Sequence, residues 1–450
     1  MGDDLRELAK GFRKRTWVTA KLAAKVGVSA AKRQLRGRDA NAPTAAQVVG
    51  STEAARELVA KLGQLKGLVM KVGQMASYLP GALPDEAQDV LAALQAQSTA
   101  MDFEAVRGVI EAELGGAVAD RFEDFEERPF AAASIGQVHR ARFEGRPVAV
   151  KVQYPGIEEV LASDLSTLGL FAKMGTLGLP IDGAALVKEL EARILEECDY
   201  EREADNQARL GALLMQDAGA SVPGVVRERS SRRVLTTELV DAMPFDRFRR
   251  EGTQAAKNRA AEVIFRACFQ GLFQHGVYNG DPHPGNYLFG EDGHVTFLDF
   301  GCVRRFEEPF IETWKALARS ILDGDRARFP GRFEATGLVG TTRGFDWDHQ
   351  WEVMQYLYRP FIERDPFFTY TDDYVRQSYG LLIFDSPNQR KIDCPPEWLL
   401  LNRLQWGLNA VLSKLEAEGP WPVIFGDAAR GPFVGEALAE PTDERQRPVL

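Results

Sequence analysis

Hydrophobic and polar positions change rhythm several times along the chain. Across residues 17–31, Trp17, Val18, Leu22, Val26 and Val28 alternate with Lys21 and Lys25 at roughly helical spacing. A polar break at 37–43 precedes a helical pattern over 45–79 and on through Pro84 to Gln97, and residues 102–115 predict one more helix. Near Phe130 the period shortens. Residues 131–143 and 146–153 read as a hairpin followed by a third strand, 157–174 and 184–210 as helices, and 222–229 and 233–240 as strands parted by Ser230 and Ser231. From Pro244 onward helices dominate. Residues 253–276 carry Ile264, Phe265, Cys268, Leu272 and Phe273 on one side, 294–300 read as a strand, and helical segments continue to about 418.

Composition narrows the class. At 450 residues and 45 % hydrophobic, the chain can bury a large core and is long enough for two or three domains. A net charge of −10 argues against a nucleic-acid binder, which would show a basic footprint. The first forty residues depart from that average: eleven Lys and Arg against four acids give +7, leaving −17 for the rest. A basic, apolar-striped arm suits an anionic membrane surface, and equally an ordinary solvated helix. Cys198, Cys268, Cys302 and Cys394 are far apart and without CxxC spacing, as expected of free thiols in a reducing cytoplasm. The N-terminus lacks a secretory pattern, and the most apolar window, 165–181, is broken by Lys173 and glycines. A cytoplasmic protein, peripheral on the inner face of a membrane and without a spanning segment, is the expectation.

Three short stretches carry the chemistry. Lys151 ends the apolar run Val148-Ala149-Val150, Asp281 and Asn286 bracket Pro282-His283-Pro284-Gly285, and Asp299 opens Asp299-Phe300-Gly301 after the apolar Phe297-Leu298. Phosphoryl transfer needs a nucleotide, one or two Mg²⁺ ions and an acceptor held in line, with little covalent help from protein. A strand lysine oriented by a helix carboxylate, for which Glu203 is the best candidate, would pair with phosphates. Asp281 would orient or deprotonate the acceptor, and Asn286 and Asp299 would hold metal. His283 reads as structural, locking the turn. Each motif alone has a bland reading, a solvated lysine or a plain Asp-Pro turn. Together and in this order they predict ATP or ADP with Mg²⁺ on an α+β, two-lobed protein-kinase-like fold. The phosphate-covering loop is unusual: Ala131-Ala132-Ala133-Ser134-Ile135-Gly136-Gln137 stands where a glycine-rich loop is expected, and alanine restricts the backbone there. Ala131, Ala132, Ala133, Ser134 and Gln137, with Lys151, Glu238 and Val240, are the candidate nucleotide contacts.

Here the chain resembles the UbiB family of atypical kinase-like, coenzyme Q-associated proteins, over about residues 50–310. The family's KxGQ motif is matched by Lys71-Val72-Gly73-Gln74, its alanine-rich loop by residues 131–137, and its ExD motif by Glu197-Cys198-Asp199. The resemblance implies a helical extension folded over the active-site cleft, with Lys71 and Gln74 near Glu197 and Asp199 and protein substrates excluded. It further implies ATP binding with ATPase or small-molecule phosphotransfer, a quinone-precursor or lipid ligand, and lipid-biosynthesis enzymes as partners. The expected division is a basic arm at 1–44, the extension at 45–125, a small lobe at 126–243 and a helical lobe at 244–450. Two departures stand out. The chain lacks the terminal membrane helices of many members, and Asn279-Gly280 precede Asp281 where protein kinases carry His-Arg. Aminoglycoside and choline phosphotransferases carry His-Gly-Asp there, so a small-molecule kinase is one alternative. A non-catalytic, nucleotide-gated scaffold is the other.

Overall fold

The computed structural model describes residues 101–435, apart from 134, 160, 162–195, 281, 382–385, 389, 390 and 394. The expected arm, the expected KxGQ extension with Lys71 and Gln74, the candidate catalytic Asp281 and the loop residue Ser134 lie outside the described residues. What is described forms two compact units, one running up to Asp199 together with Ser231–Val234, the other comprising Tyr200–Ser230 and everything from Leu235.

The first unit is a helix on a small antiparallel sheet. Helix α1 (Phe103–Leu114) buries Val106, Val109 and Ile110, one stripe at helical spacing. It stops where Gly115 takes the left-handed conformation and its N–H bonds Glu111. Strands β1 (Ala131–Ala132), β2 (Gly136–Phe143) and β3 (Arg146–Gln153) form the sheet. The β2–β3 turn puts Glu144 and Gly145 at φ 50° and 74°, the twist a two-residue hairpin loop requires. That turn fixes the register, with Val138 opposite Lys151 and His139 opposite Val150. Alternation then sorts the faces: Gln137, His139 and Ala141 lie buried with Val148, Val150 and Val152, while Ala149, Lys151 and Gln153 share the other face. The expected hairpin, third strand and preceding helix are all present.

The second unit is larger and mostly helical. Helix α2 (Tyr200–Leu214) opens it; strand β4 (Ala220–Ser221) follows, then β5 (Val234–Glu238), which starts in the first unit, β6 (Met243–Pro244) and helix α3 (Phe245–Glu251). Helix α4 (Gln254–His275) runs through the core with Ile264, Phe265, Cys268, Leu272 and Phe273 buried, capped by the Thr253 side chain at one end and left-handed Gly276 at the other. Beyond it lie β7 (Val277–Asn279), β8 (Tyr287–Phe289), β9 (Val295–Phe297) and β10 (Val303–Arg305). Strands β4, β9, β8 and β6 form one sheet in that order, and β7 and β10 a two-stranded ribbon. Helices α5 (Glu308–Leu322), α6 (Pro396–Lys414) and α7 (Trp421–Arg430) complete an aromatic core in which Phe361 and Phe425 stack at 4.0 Å.

Four expectations are corrected. Helices do not end near 418, because α7 follows at Trp421–Arg430 with Pro422 in its first turn. Residues 222–229 are not a strand but a turn ending in one 3₁₀ segment, Arg227–Arg229, with a single bridge from Val225 to Thr237. Pro223 lacks an N–H for a ladder, and the Ser230 and Thr236 hydroxyls bond Val226 and Arg229 carbonyls, closing a turn instead. The helix read across 184–210 is interrupted at Cys198 and Asp199, and α2 begins at Tyr200. The strand at 294–300 is only Val295–Phe297, because the residues after it turn.

Burial lowers the pKa of His139, and its bond to the Glu126 carbonyl opposes this in part. The unfolded chain, with a histidine pKa of about 6.5, therefore binds more protons than the folded one as pH falls below that value. This stability is complete above about pH 6.5 and is lost on acidification. Urea unfolding at about pH 7.5 and about pH 5.5 checks it: wild type should lose more stability between the two than His139→Phe.

Candidate functional site

Within the second unit, α4 delivers the chain through β7 to the candidate catalytic loop, and β10 leads away from Asp299-Phe300-Gly301. The β7–β10 ribbon pairs Asn279 with Val303, so both motifs leave from one end of one ribbon. Three polar links then fasten them. Asn279 Nδ2 donates to the Asp299 carbonyl at 2.5 Å, Gly280 N–H to the Cys302 carbonyl at 2.8 Å, and Leu298 N–H to the Asn286 carbonyl at 3.0 Å. Asn286 is thereby held beside the residue that precedes Asp299. Asp299 Oδ1 accepts from Gly301 N–H at 3.0 Å, and His283 Nδ1 accepts from Gly285 N–H at 3.0 Å, so each turn is locked by its own side chain. Gly407 of α6 lets Pro282 approach so closely that a Cβ there would collide with the ring.

Glu203 lies in the first turn of α2, 3 % exposed. One turn on, Asn206 Nδ2 donates to the Phe300 carbonyl at 3.1 Å. Residues three apart share a helix face, so the face that carries Glu203 is the one tied to the Asp299 turn. A buried carboxylate needs a cation or donors around it, as a phosphate-pairing lysine would supply. Glu238 is exposed and its Oε2 accepts from Gly224 N–H at 2.8 Å, bracing the Pro223 turn; Val240 follows the end of β5, half-buried.

The first unit holds the other half of the motif set. Lys151 is half-buried on the same face of β3 as Gln153. Gln153 Nε2 donates to the Cys198 carbonyl at 2.7 Å, which fixes the middle of Glu197-Cys198-Asp199 against the strand that carries Lys151. Ala131 and Ala132 are exposed on β1, and Ala133 N–H closes the turn onto the Gly136 carbonyl at 2.9 Å. Ile135 is buried and its carbonyl accepts from Tyr154 N–H at 2.9 Å, so the turn is tied down at its tip. The Gln137 side chain lies on the face opposite Lys151, so a nucleotide contact there would come from its backbone.

Asn286 and Asp299 offer an amide oxygen and a carboxylate, hard donors that suit Mg²⁺. Among the described residues no group of three or more His, Cys, Asp or Glu side chains could hold a metal alone. A two-ligand site matches the way Mg²⁺ is usually held, jointly with substrate phosphates. Sequence reasoning gave no role to Asn206, Gln153 and Asn279, the residues that position the others. Gln153 and Asn279 are polar side chains at the edges of apolar runs, whereas Asn206 lies in a polar helical stretch that gives no such signal.

A Cβ at Gly280 would meet the Cys302 carbonyl at 2.8 Å. Gly280→Ala should therefore spread the ribbon where the two loops part, costing about 1–3 kcal/mol. A lower urea midpoint with an unchanged slope checks this.

Comparison with known proteins adds four findings. The model of the ABC1 atypical kinase-like domain matches residues 93–330. The rat protein named "Atypical kinase COQ8B, mitochondrial" is 36 % identical over 284 residues, 62 % of this chain and 53 % of its own length, so the chain spans about half of that relative. The Saccharomyces cerevisiae protein named "Atypical kinase COQ8, mitochondrial" is 29 % identical over 88 % of this chain and 80 % of its own. Among solved structures, Rv3197 of Mycobacterium tuberculosis, in complex with erythromycin, is 29 % identical with a TM-score of 0.63, covering 85 % of this chain and 96 % of that one. The order of strand lysine, ExD, catalytic loop and Asp299 turn thus falls inside one matched domain, and the chain belongs to the ABC1, or UbiB, family of atypical kinase-like proteins.

Proposed function

We propose that this chain binds ATP with Mg²⁺ and acts as an ATPase or as a kinase of a small-molecule or lipid acceptor, in support of isoprenoid-quinone or other lipid metabolism. The observation that carries the reading is the fastening of the Asn286 loop to the Asp299 turn through Leu298 N–H and Asn279. Such rigidity suits positioning catalysis, where oriented groups rather than covalent steps lower the barrier. Asn286 and Asp299 would hold Mg²⁺, which when bound offsets charge on the transferring phosphoryl group. Lys151, oriented by Glu203, pairs with phosphates; Ala131, Ala132, Ala133, Ser134, Gln137, Glu238 and Val240 surround the nucleotide. Asp281 orients the acceptor hydroxyl and takes its proton. Lys71 and Gln74 meet Glu197 and Asp199, and the extension that bears them keeps protein substrates out.

No helix among the described residues is long and apolar enough to cross a membrane. The basic arm at 1–44 would bring the protein to the inner, anionic face of a membrane, where lipid-biosynthesis enzymes are its partners. A second reading has its own support. The complex of Rv3197 with erythromycin favours a bulky, sugar-bearing small molecule as ligand or acceptor, in the manner of a small-molecule kinase.

Phosphate release from ATP with Mg²⁺, measured with and without anionic liposomes, tests the proposal. Wild type should turn over faster with liposomes, and Asp299→Asn should lose on the order of 100-fold or more, the several kcal/mol a metal ligand contributes. Turnover raised by erythromycin and not by liposomes would favour the second reading. ATP bound with no release by wild type would leave only the nucleotide-gated scaffold.

A further inference from the structure

Gln137 and His139 are 1 % and 0 % exposed on the valine-lined face of β2. Two buried polar side chains in so small a sheet are costly unless every polar atom is paired. They are paired, in a chain of three contacts. Met101 N–H donates to Gln137 Oε1 at 2.8 Å, Gln137 Nε2 lies 3.0 Å from His139 Nε2, and His139 Nδ1 lies 2.8 Å from the Glu126 carbonyl.

Chemistry fixes every direction in that chain. A backbone N–H can only donate, so the amide oxygen faces Met101 and the amide nitrogen faces the ring. His139 Nε2 must then accept, which leaves the proton on Nδ1 to be donated to Glu126. One tautomer satisfies all of these atoms, and the ring stacks on Phe125 at 5.0 Å. The same glutamine lies opposite Ala132 and directly follows Gly136, whose carbonyl accepts from Ala133 N–H and closes the alanine-rich turn.

We propose that Gln137 and His139 are positioning residues that latch the chain at Met101, just before α1, to the alanine-rich turn. Gln137 holds Met101 with its side chain and directly follows Gly136, whose carbonyl closes the turn, while His139 holds the amide in the one orientation that accepts from Met101. The entry to α1 and the turn therefore keep a fixed register. The latch stands on these contacts alone; its effect on nucleotide binding rests on the function proposed above.

Hydrogen exchange of the full-length protein, followed by mass spectrometry, tests it. His139→Phe keeps a ring against Phe125 and removes both nitrogens; Gln137→Met keeps the length and removes the amide. Each should speed exchange on the order of tenfold in both the peptide starting at Met101 and that covering the turn, the loss of one buried hydrogen bond. Peptides of α4 and α5 should be unchanged. Met101→Pro deletes the donor without touching the sheet interior, and should loosen the turn in the same way. It decides the matter if the two interior variants do not fold. Exchange at the turn unaltered by Met101→Pro, or at Met101 unaltered by His139→Phe, would overturn the latch. ATP affinity of the same variants is a separate arm: exchange altered with no ATP bound by wild type would refute the nucleotide reading and leave the latch intact.

Discussion

The arrangement of the candidate site depends on two irregular loops satisfying each other's backbone. The catalytic loop and the Asp299 turn both leave ordered strands beside an aromatic core, where an unpaired N–H or C=O is expensive. The Asn286, Asp299 and Cys302 carbonyls are each taken by a donor from the other segment. Polar satisfaction and functional geometry are thus one constraint. A change that loosens one loop strands groups on the other, and this explains why Asn279 and Gly280 stand before Asp281. The asparagine supplies a donor to the Asp299 carbonyl, and the glycine leaves room for the Cys302 carbonyl. A bulkier pair at these positions would serve a different set of contacts.

The period of two along β2 and β3 separates two jobs on one sheet. One face carries Lys151 and, through Gln153, the ExD segment. The other carries Gln137 and His139 among valines. Burying an amide and an imidazole where more valine would stabilise is a local sacrifice, and such choices are most often tied to specificity of arrangement. The hydrogen bonds they make run to Met101 and Glu126, backbone positions far from β2 in sequence, so they fix what valine could not.

Elements with strong local rhythm were legible. Helix α4, the β2–β3 hairpin and the placement of Lys151 on a strand follow from alternation and from Thr253 and Gly276 at the helix ends. The turn at Val222–Arg229 was not, because Pro223 and two hydroxyl-to-carbonyl bonds outweigh the β-propensity of its valines. Gln153 and Asn279 were legible as oddities only, and Asn206 gave no signal. Each acts by a side chain bonding a carbonyl 20 to 94 positions away, and no periodicity encodes such a pairing. Asp281 and the KxGQ residues, read from their motifs, lie outside the described residues.

The alanine-rich turn has a single glycine, Gly136, where a glycine-rich loop is expected. A glycine-rich loop gains close approach from backbone freedom and loses entropy when it orders. Here the order is already built in: Ala133 bonds Gly136, Ile135 is buried, and its carbonyl is held by Tyr154. Alanine's restricted backbone removes conformations from the unfolded chain as well. A turn tied down in this way has less freedom to adapt its amides than a glycine-rich loop. With a phosphate bound, selectivity of pose gained by giving up adaptability is what alanine would contribute at Ala131, Ala132 and Ala133.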